Sequence, residues 1–218
     1  MNLMNNVGRL IGILMILQVA GGISVNLFLT APLFGSPGFL VTGAEYAQQI
    51  GVSVLLGLIT SGLSLMVAIV AFPVFRTTHP SLSIGLIALS AVGLSLAAVE
   101  SIGMMSMVSF SESYAGASAA GQDVLEAVKG IVAASRNWSH YIGLIISGCI
   151  LLLFYTVLYG SRLVPRILAG FGLIAVLLQL SSVSLPLLGY SVIFLMLAPL
   201  GICQIVVSIW LLVRGFSK

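Results

Sequence analysis

Charge is the scarcest property of this sequence. Its 218 residues include eight Lys and Arg, five Asp and Glu, and two His, so 6% are charged. A soluble domain carries about a quarter charged residues. So few ionic side chains cannot coat a water-soluble globule of this length, which excludes a cytosolic enzyme and a disordered segment. Cysteine is nearly absent as well. Cys149 and Cys203 lie inside apolar runs, so a disulfide-rich secreted module is excluded and both read as small core residues. The pI near 9.1 does not point to nucleic acid, because the basic residues are scattered singly or in pairs and form no basic face. Also missing are a Walker A loop, a Gly-rich dinucleotide fingerprint, a Gly-x-Ser-x-Gly elbow and a His-Glu-x-x-His pair. No cofactor and no metal site is expected. A soft Cu(I) site at Met104, Met105 and Met107 with His140 is conceivable, but a helical methionine cluster reads first as core filler.

What the chain has is apolar length. Hydrophobic residues make up 60% of it, and the mean hydropathy is +1.23. A spanning helix needs about 20 apolar residues. Six stretches qualify, at 10–34, 50–75, 82–110, 138–159, 166–188 and 191–213. Ten-residue alternating segments, the mark of a membrane barrel, are absent. The expected fold is an all-α, polytopic six-helix transmembrane bundle forming one domain over 1–218, with the lipid bilayer as its first partner. The apolar run after Arg9 outlasts a signal-peptide core and ends without a small-x-small site, so it reads as the first span.

The charges orient this bundle. Arg9, Arg76, Arg162, Arg166, Arg214 and Lys218 fall on one side of the six spans. Lys129 and Arg136 fall on the other, with Glu45, Glu112, Asp123 and Glu126. The positive-inside rule makes the first side cytoplasmic. The expectation is a multi-pass protein of the bacterial cytoplasmic (inner) membrane with both termini inside.

Two connections are long. Residues 35–49 hold Pro37, Gly38 and Gly43 and read as an ordered loop. In 121–135, Val124, Val128, Ile131 and Val132 recur at helical spacing, with Asp123, Glu126 and Lys129 on the opposite side. The pattern predicts a short amphipathic helix on the outer interface or over the bundle mouth. Gly57-Leu-Ile-Thr-Ser-Gly62 matches Gly143-Leu-Ile-Ile-Ser-Gly148, with Arg76 and Arg162 at the same offset. Spans 2–3 and 4–5 are therefore candidate duplicated hairpins in parallel orientation. Gly8 and Gly12, Gly57 and Ser61, and Gly143 and Ser147 are small-xxx-small pairs expected at close helix contacts. Pro186 and Pro199 should kink or loosen the last two spans. Gln18, Gln179 and Gln204 are expected to form interhelical hydrogen bonds.

Glu100 is the one acid inside a span. An ionised carboxylate there costs about 3 kcal/mol on insertion scales, so it should face inward and be paired, protonated or hydrated. Gly93, Ala97, Met104 and Met107 are its helical neighbours. Arg136 and His140, four residues apart at the outer start of the fourth span, share a face and are its natural partners. His140 could relay a proton near neutral pH. Asn26, Gln48, Glu45 and Tyr46 are expected at the same level. Trp138 and Tyr141 read as interface-belt aromatics.

Three segments carry a resemblance. His140-Tyr-Ile-Gly-Leu-Ile145, Ser161-Arg-Leu-Val-Pro-Arg-Ile-Leu168 and Ile209-Trp-Leu-Leu-Val-Arg-Gly-Phe216 resemble a DUF4386-like family of bacterial six-helix membrane proteins, catalogued as a domain of unknown function. Glu100 is similar to that family's acid in the third span. The family pattern usually has a Glu before the Trp-Leu-Leu ending, where this chain has Gln204. The resemblance implies topology and no activity.

Three functions stay open on the residues. The first is binding or transport of a small apolar or amphipathic molecule, or of protons, through an outward cavity around Glu100, Arg136 and His140, with Met104, Asn26 and Gln48 as further ligand-binding candidates. The second is an intramembrane enzyme with Glu100 as general acid on a lipid-soluble substrate. The third is an accessory subunit, with a membrane-protein partner or a second copy of itself.

Overall fold

The computed structural model describes residues 3–216, so Lys218 and its assignment to the basic side lie outside the described residues. Helices supply all the regular structure among the described residues. They are α1 (Leu3–Ile23), α2 (Ala31–Phe34), α3 (Phe39–Thr42), α4 (Ala47–Phe75), α5 (Pro80–Ala115), α6 (Ala119–Ser161), α7 (Arg166–Ser184) and α8 (Ala198–Arg214). A π-helical segment, Ser24–Leu29, extends α1, and 3-10 turns occupy Leu185–Leu188 and Phe194–Met196. Six helical segments are long and apolar enough to cross a membrane: Met4–Leu29, Ala47–Phe75, Pro80–Ala115, Ala119–Ser161, Arg166–Leu188 and Phe194–Arg214. The exterior agrees. Ile167, Ile174 and Leu177 on α7 are exposed, a surface that lipid tolerates and water does not. The chain is a multi-pass integral membrane protein.

The largest departure from the sequence reading is α6. The expected separate helix at 121–135 does not exist. It is the first third of an unbroken 43-residue helix, Ala119–Ser161. The hydropathy change near Arg136 looks like a boundary, but no proline interrupts this stretch, and the backbone ladder of an α-helix is indifferent to side-chain polarity. The anticipated lid face is also missing. Val124 and Ile131 are 65% and 73% exposed, and Val132 is the member of that stripe that packs on a core. The preceding helix, α5, is similarly extended to 36 residues. At 1.5 Å per residue, both outrun a hydrocarbon layer of about 30 Å.

Pro186 and Pro199 act at helix ends. Pro199 stands in the first turn of α8, where its missing N–H costs nothing, so the expected kink within the last span is absent. Pro186 lies in the 3-10 turn that follows α7. Residues 35–49 are more structured than the expected loop, since they include α3. The turns before Pro80 and before Arg166 are built differently. His79 N–H bonds back to Phe75 O, whereas Arg162 adopts φ 56°.

The chain groups into two compact units. The first comprises the described residues within Met1–Val19, Ser61–Leu94 and Tyr141–Lys218. Its ranges hold six basic residues and no acid. Its core is aromatic. Phe75 packs on Phe154 at 5.8 Å and on Phe216 at 6.0 Å, and Phe154 meets Tyr155 edge-on at 5.7 Å. Lipid removes the hydrophobic drive between helices, so close backbone approach matters more. Gly8 and Gly12 provide it. A Cβ at Gly8 would stand 2.4 Å from Phe216 N, and one at Gly12 2.6 Å from Leu212 N. The other two small-residue pairs do not behave so. Gly57 and Gly143 have nothing within 4 Å of an added Cβ, so their motifs mark no close contact. Close contacts instead fall at Gly172 under the Tyr155 ring and Gly148 against Leu180.

The expected glutamine bonds are likewise absent among the described residues. Gln179 Oε1 is buried without a partner, and Gln18 and Gln204 line a cavity. A buried serine does what the glutamines do not. Ser182 Oγ donates to Ile193 O and accepts from Ile193 N–H, both at 3.0 Å. It thereby satisfies both polar groups of Ile193 in the irregular backbone between α7 and α8.

The second unit comprises Ala20–Thr60 and Ser95–His140. It holds all five acids with Lys129 and Arg136. Its core is Leu33, Phe39, Leu40 and Ile50 against Met104, Met107 and Val108 of α5. Here too a serine pins the connection. The fully buried Ser111 Oγ donates to Leu40 O and accepts from Ala44 N–H, both at 2.8 Å.

Candidate functional site

The site lies in the second unit, where α5 and α6 run side by side after the turn at 116–118. One face of α5 reads Glu100, Gly103, Met104, Met107 and Ser111, positions three or four apart that fall on one side of a helix. The last four pack inward. Glu100 is the polar end of an otherwise buried stripe. The facing stripe of α6 is Val132, Ala133, Arg136 and His140, with the first two on the core.

Gly103 sets how near the two helices come. A Cβ there would stand 3.1 Å from Arg136 Cβ and 3.2 Å from Arg136 Cα. Without that methyl, the arginine stem lies directly over α5 and its guanidinium is delivered to Glu100 one turn away. Arg136 Nη2 donates to Glu100 Oε1 at 2.6 Å. His140 Nδ1 is 2.9 Å from the same oxygen. An ionised carboxylate only accepts, so Nδ1 carries the hydrogen and donates it. Both bonds end on Oε1. The Arg136 Cζ also lies 4.3 Å from the centroid of the Phe34 ring, a distance at which the ring quadrupole attracts the cation. The Arg136 side chain is 8% exposed, Glu100 20% and His140 26%. The cation is thus sealed between a ring and a carboxylate, while the carboxylate and the imidazole stay reachable.

This arrangement resolves the cost of an acid in a spanning segment. An unpaired charge there would be strongly unfavourable. A charge-assisted bond from a guanidinium, a second from an imidazole and a covering aromatic ring replace the lost hydration. The group cannot be exchanged piecemeal, because removing one member of a buried pair leaves the other uncompensated.

Of the residues singled out in the sequence, Glu100, Arg136 and His140 converge. Met104 is buried one turn from Glu100, in the core stripe. Met107 is buried beside it and Met105 is exposed. Asn26 does not join them. It lies in the π-helical segment, exposed, with Nδ2 bonded to Gly22 O at 2.9 Å. Gln48, Glu45 and Tyr46 are also exposed. The neighbouring Gln49 turns inward, where its Nε2 donates to Leu29 O at 3.1 Å and ties α4 to the end of the π-helical segment. Phe34 and Gly103 belong to the site without a mark in the sequence that singles them out. A phenylalanine 102 positions from an arginine gives no local signal. The signal available for Gly103 was its place three residues from the acid, on the same face.

The family described as Domain of unknown function (DUF4386) matches residues 10–215 of the chain. No curated protein and no solved structure matches it. On a match that runs through all six membrane-spanning segments, the chain belongs to the DUF4386 family.

Proposed function

We propose that this protein binds a small apolar or amphipathic molecule and moves it within or across the membrane, with Glu100, Arg136 and His140 holding its polar end. One observation carries the reading. Glu100 Oε1 is occupied by two donors, yet the carboxylate and the imidazole are still partly exposed. Burying every member of an ion pair costs desolvation, and a partly open pair keeps a side on which another molecule can bond. This one buries the arginine and leaves the acceptor and the histidine approachable. A head group bearing a hydrogen-bond donor could take Glu100 Oε2. The apolar body would lie along lipid-facing helix surface.

The charge partition supports an orientation. All six basic residues of one unit, against two basic and five acidic residues in the other, favour the arginine-bearing turns at Arg76 and at Arg162–Arg166 on the cytoplasmic side of a bacterial inner membrane. Both termini would then be inside and the Glu100 cluster nearer the outer face. The test of function is thermal stability of the purified protein against a panel of lipids and amphipathic metabolites, for wild type and Glu100→Gln. A compound that raises the wild-type melting temperature and leaves Glu100→Gln unmoved supports the proposal. Identical profiles across the panel overturn it.

A further inference from the structure

A second polar cluster lies wholly within the first unit, apart from the charged one. Gln18 of α1, Ser64 of α4, Ser147 of α6 and Gln204 of α8 line one cavity, with Met15 and Phe154 among its apolar walls. Four helices each contribute one uncharged polar side chain. None of the four side chains has a hydrogen-bond partner among the described residues. Serines on these helices fall into two groups, and Ser53 and Ser90 also lack a side-chain partner. Ser24, Ser83, Ser101, Ser106 and Ser139 all bond back to the carbonyl four residues earlier. Ser64 and Ser147 do not.

All four side chains are half-buried, so each still has a donor or an acceptor to offer to a molecule that enters the space. The cavity has a volume of about 40 Å³, room for a few waters or for the hydroxyl or carbonyl end of a larger molecule, and its half-buried polar side chains leave it partly open. The lining carries no ionisable side chain, so nothing in it would compensate the charge of an ion. Carboxamides and hydroxyls each donate and accept, which suits a neutral oxygen.

We propose that this cavity is a binding site for an uncharged, membrane-soluble molecule with a hydroxyl or carbonyl head, held by Gln18, Ser64, Ser147 and Gln204. The site is independent of the Glu100 cluster. The glutamines offer N–H groups to the oxygen, the serines complete its coordination, and the apolar walls take the carbon skeleton.

The experiment uses cyclohexanol as the probe and methylcyclohexane as its apolar counterpart. Melting temperatures of the purified full-length protein are measured for wild type, Gln204→Leu and Ser147→Ala. Cyclohexanol at roughly ten times its Kd should raise the wild-type value by about 3–5 °C and saturate. Methylcyclohexane should not, and both variants should lose most of the shift. Ser147→Ala removes a single oxygen, so it decides the matter should Gln204→Leu fold poorly. Equal responses to the two probes, equal responses of wild type and Ser147→Ala, or no response of the wild type would each overturn the proposal. Glu100→Gln should respond to cyclohexanol as the wild type does, and loss of its response would overturn the independence of the two sites.

Discussion

Breaking the Glu100–Arg136 pair should reveal coupling well beyond that of a surface ion pair. The perturbation is a double-mutant cycle of Glu100→Gln, Arg136→Met and the two together. Removing one partner of a buried pair costs about 3–5 kcal/mol. Glu100 is 20% exposed, and His140 still holds its carboxylate in the Arg136→Met protein. Both features lower the expectation for that variant to about 2–3 kcal/mol. In Glu100→Gln the guanidinium keeps an amide acceptor and the Phe34 ring, and the cost should again be about 2–3 kcal/mol. The double variant leaves no uncompensated charge and should cost little more than either single change. The coupling energy is then about 2 kcal/mol, against about 0.2–1 kcal/mol for exposed pairs. The assay is reversible unfolding in mixed micelles followed by helical circular dichroism. Single costs that add to the double within about 0.5 kcal/mol would refute the claim that these two charges hold one another.

Further predictions follow from packing. Gly172→Ala should destabilise by about 1–3 kcal/mol, since a Cβ there falls 2.4 Å from the Tyr155 ring; Gly143→Ala, with nothing within 4 Å, should be neutral or stabilising in the same unfolding assay. Ser111→Ala strands Leu40 O and Ala44 N–H and should cost about 1–3 kcal/mol; limited proteolysis should then cut within 35–46 faster than in the wild type. Arg162→Gly relieves a left-handed backbone that costs a non-glycine residue about 1–2 kcal/mol, offset by about 0.5–1 kcal/mol of extra unfolded-state entropy. Its melting temperature should equal or exceed the wild type, and a clear fall would show that the arginine side chain matters more than its backbone.

The spans were legible because the membrane imposes one demand, length without charge, and hydropathy measures it directly. The triad was legible for a related reason. An acid in a span must find a partner, and Arg136 and His140 share a helix face at matching depth. What the sequence hid depended on groups distant along the chain. Gly57 and Gly143 carry the same spacing as Gly8, yet only the latter faces a backbone; spacing says that an approach is permitted and not which face is approached. Gln48 and Gln49 are adjacent, and helix rotation alone decides that Gln49 reaches Leu29 O. The continuity of α6 is hidden in the sequence because the change of polarity near Arg136 resembles a helix boundary. Ser111 and Ser182, which tie the irregular connections to their helices, are two serines among many until the connections are in place.

The most direct test of the central claim is native mass spectrometry of the protein drawn gently from its own membranes, wild type beside Glu100→Gln. A small organic molecule should be bound to the wild type and missing from Glu100→Gln, with both proteins folded. Spectra in which the two proteins carry the same bound molecules, or in which neither carries any, would contradict it.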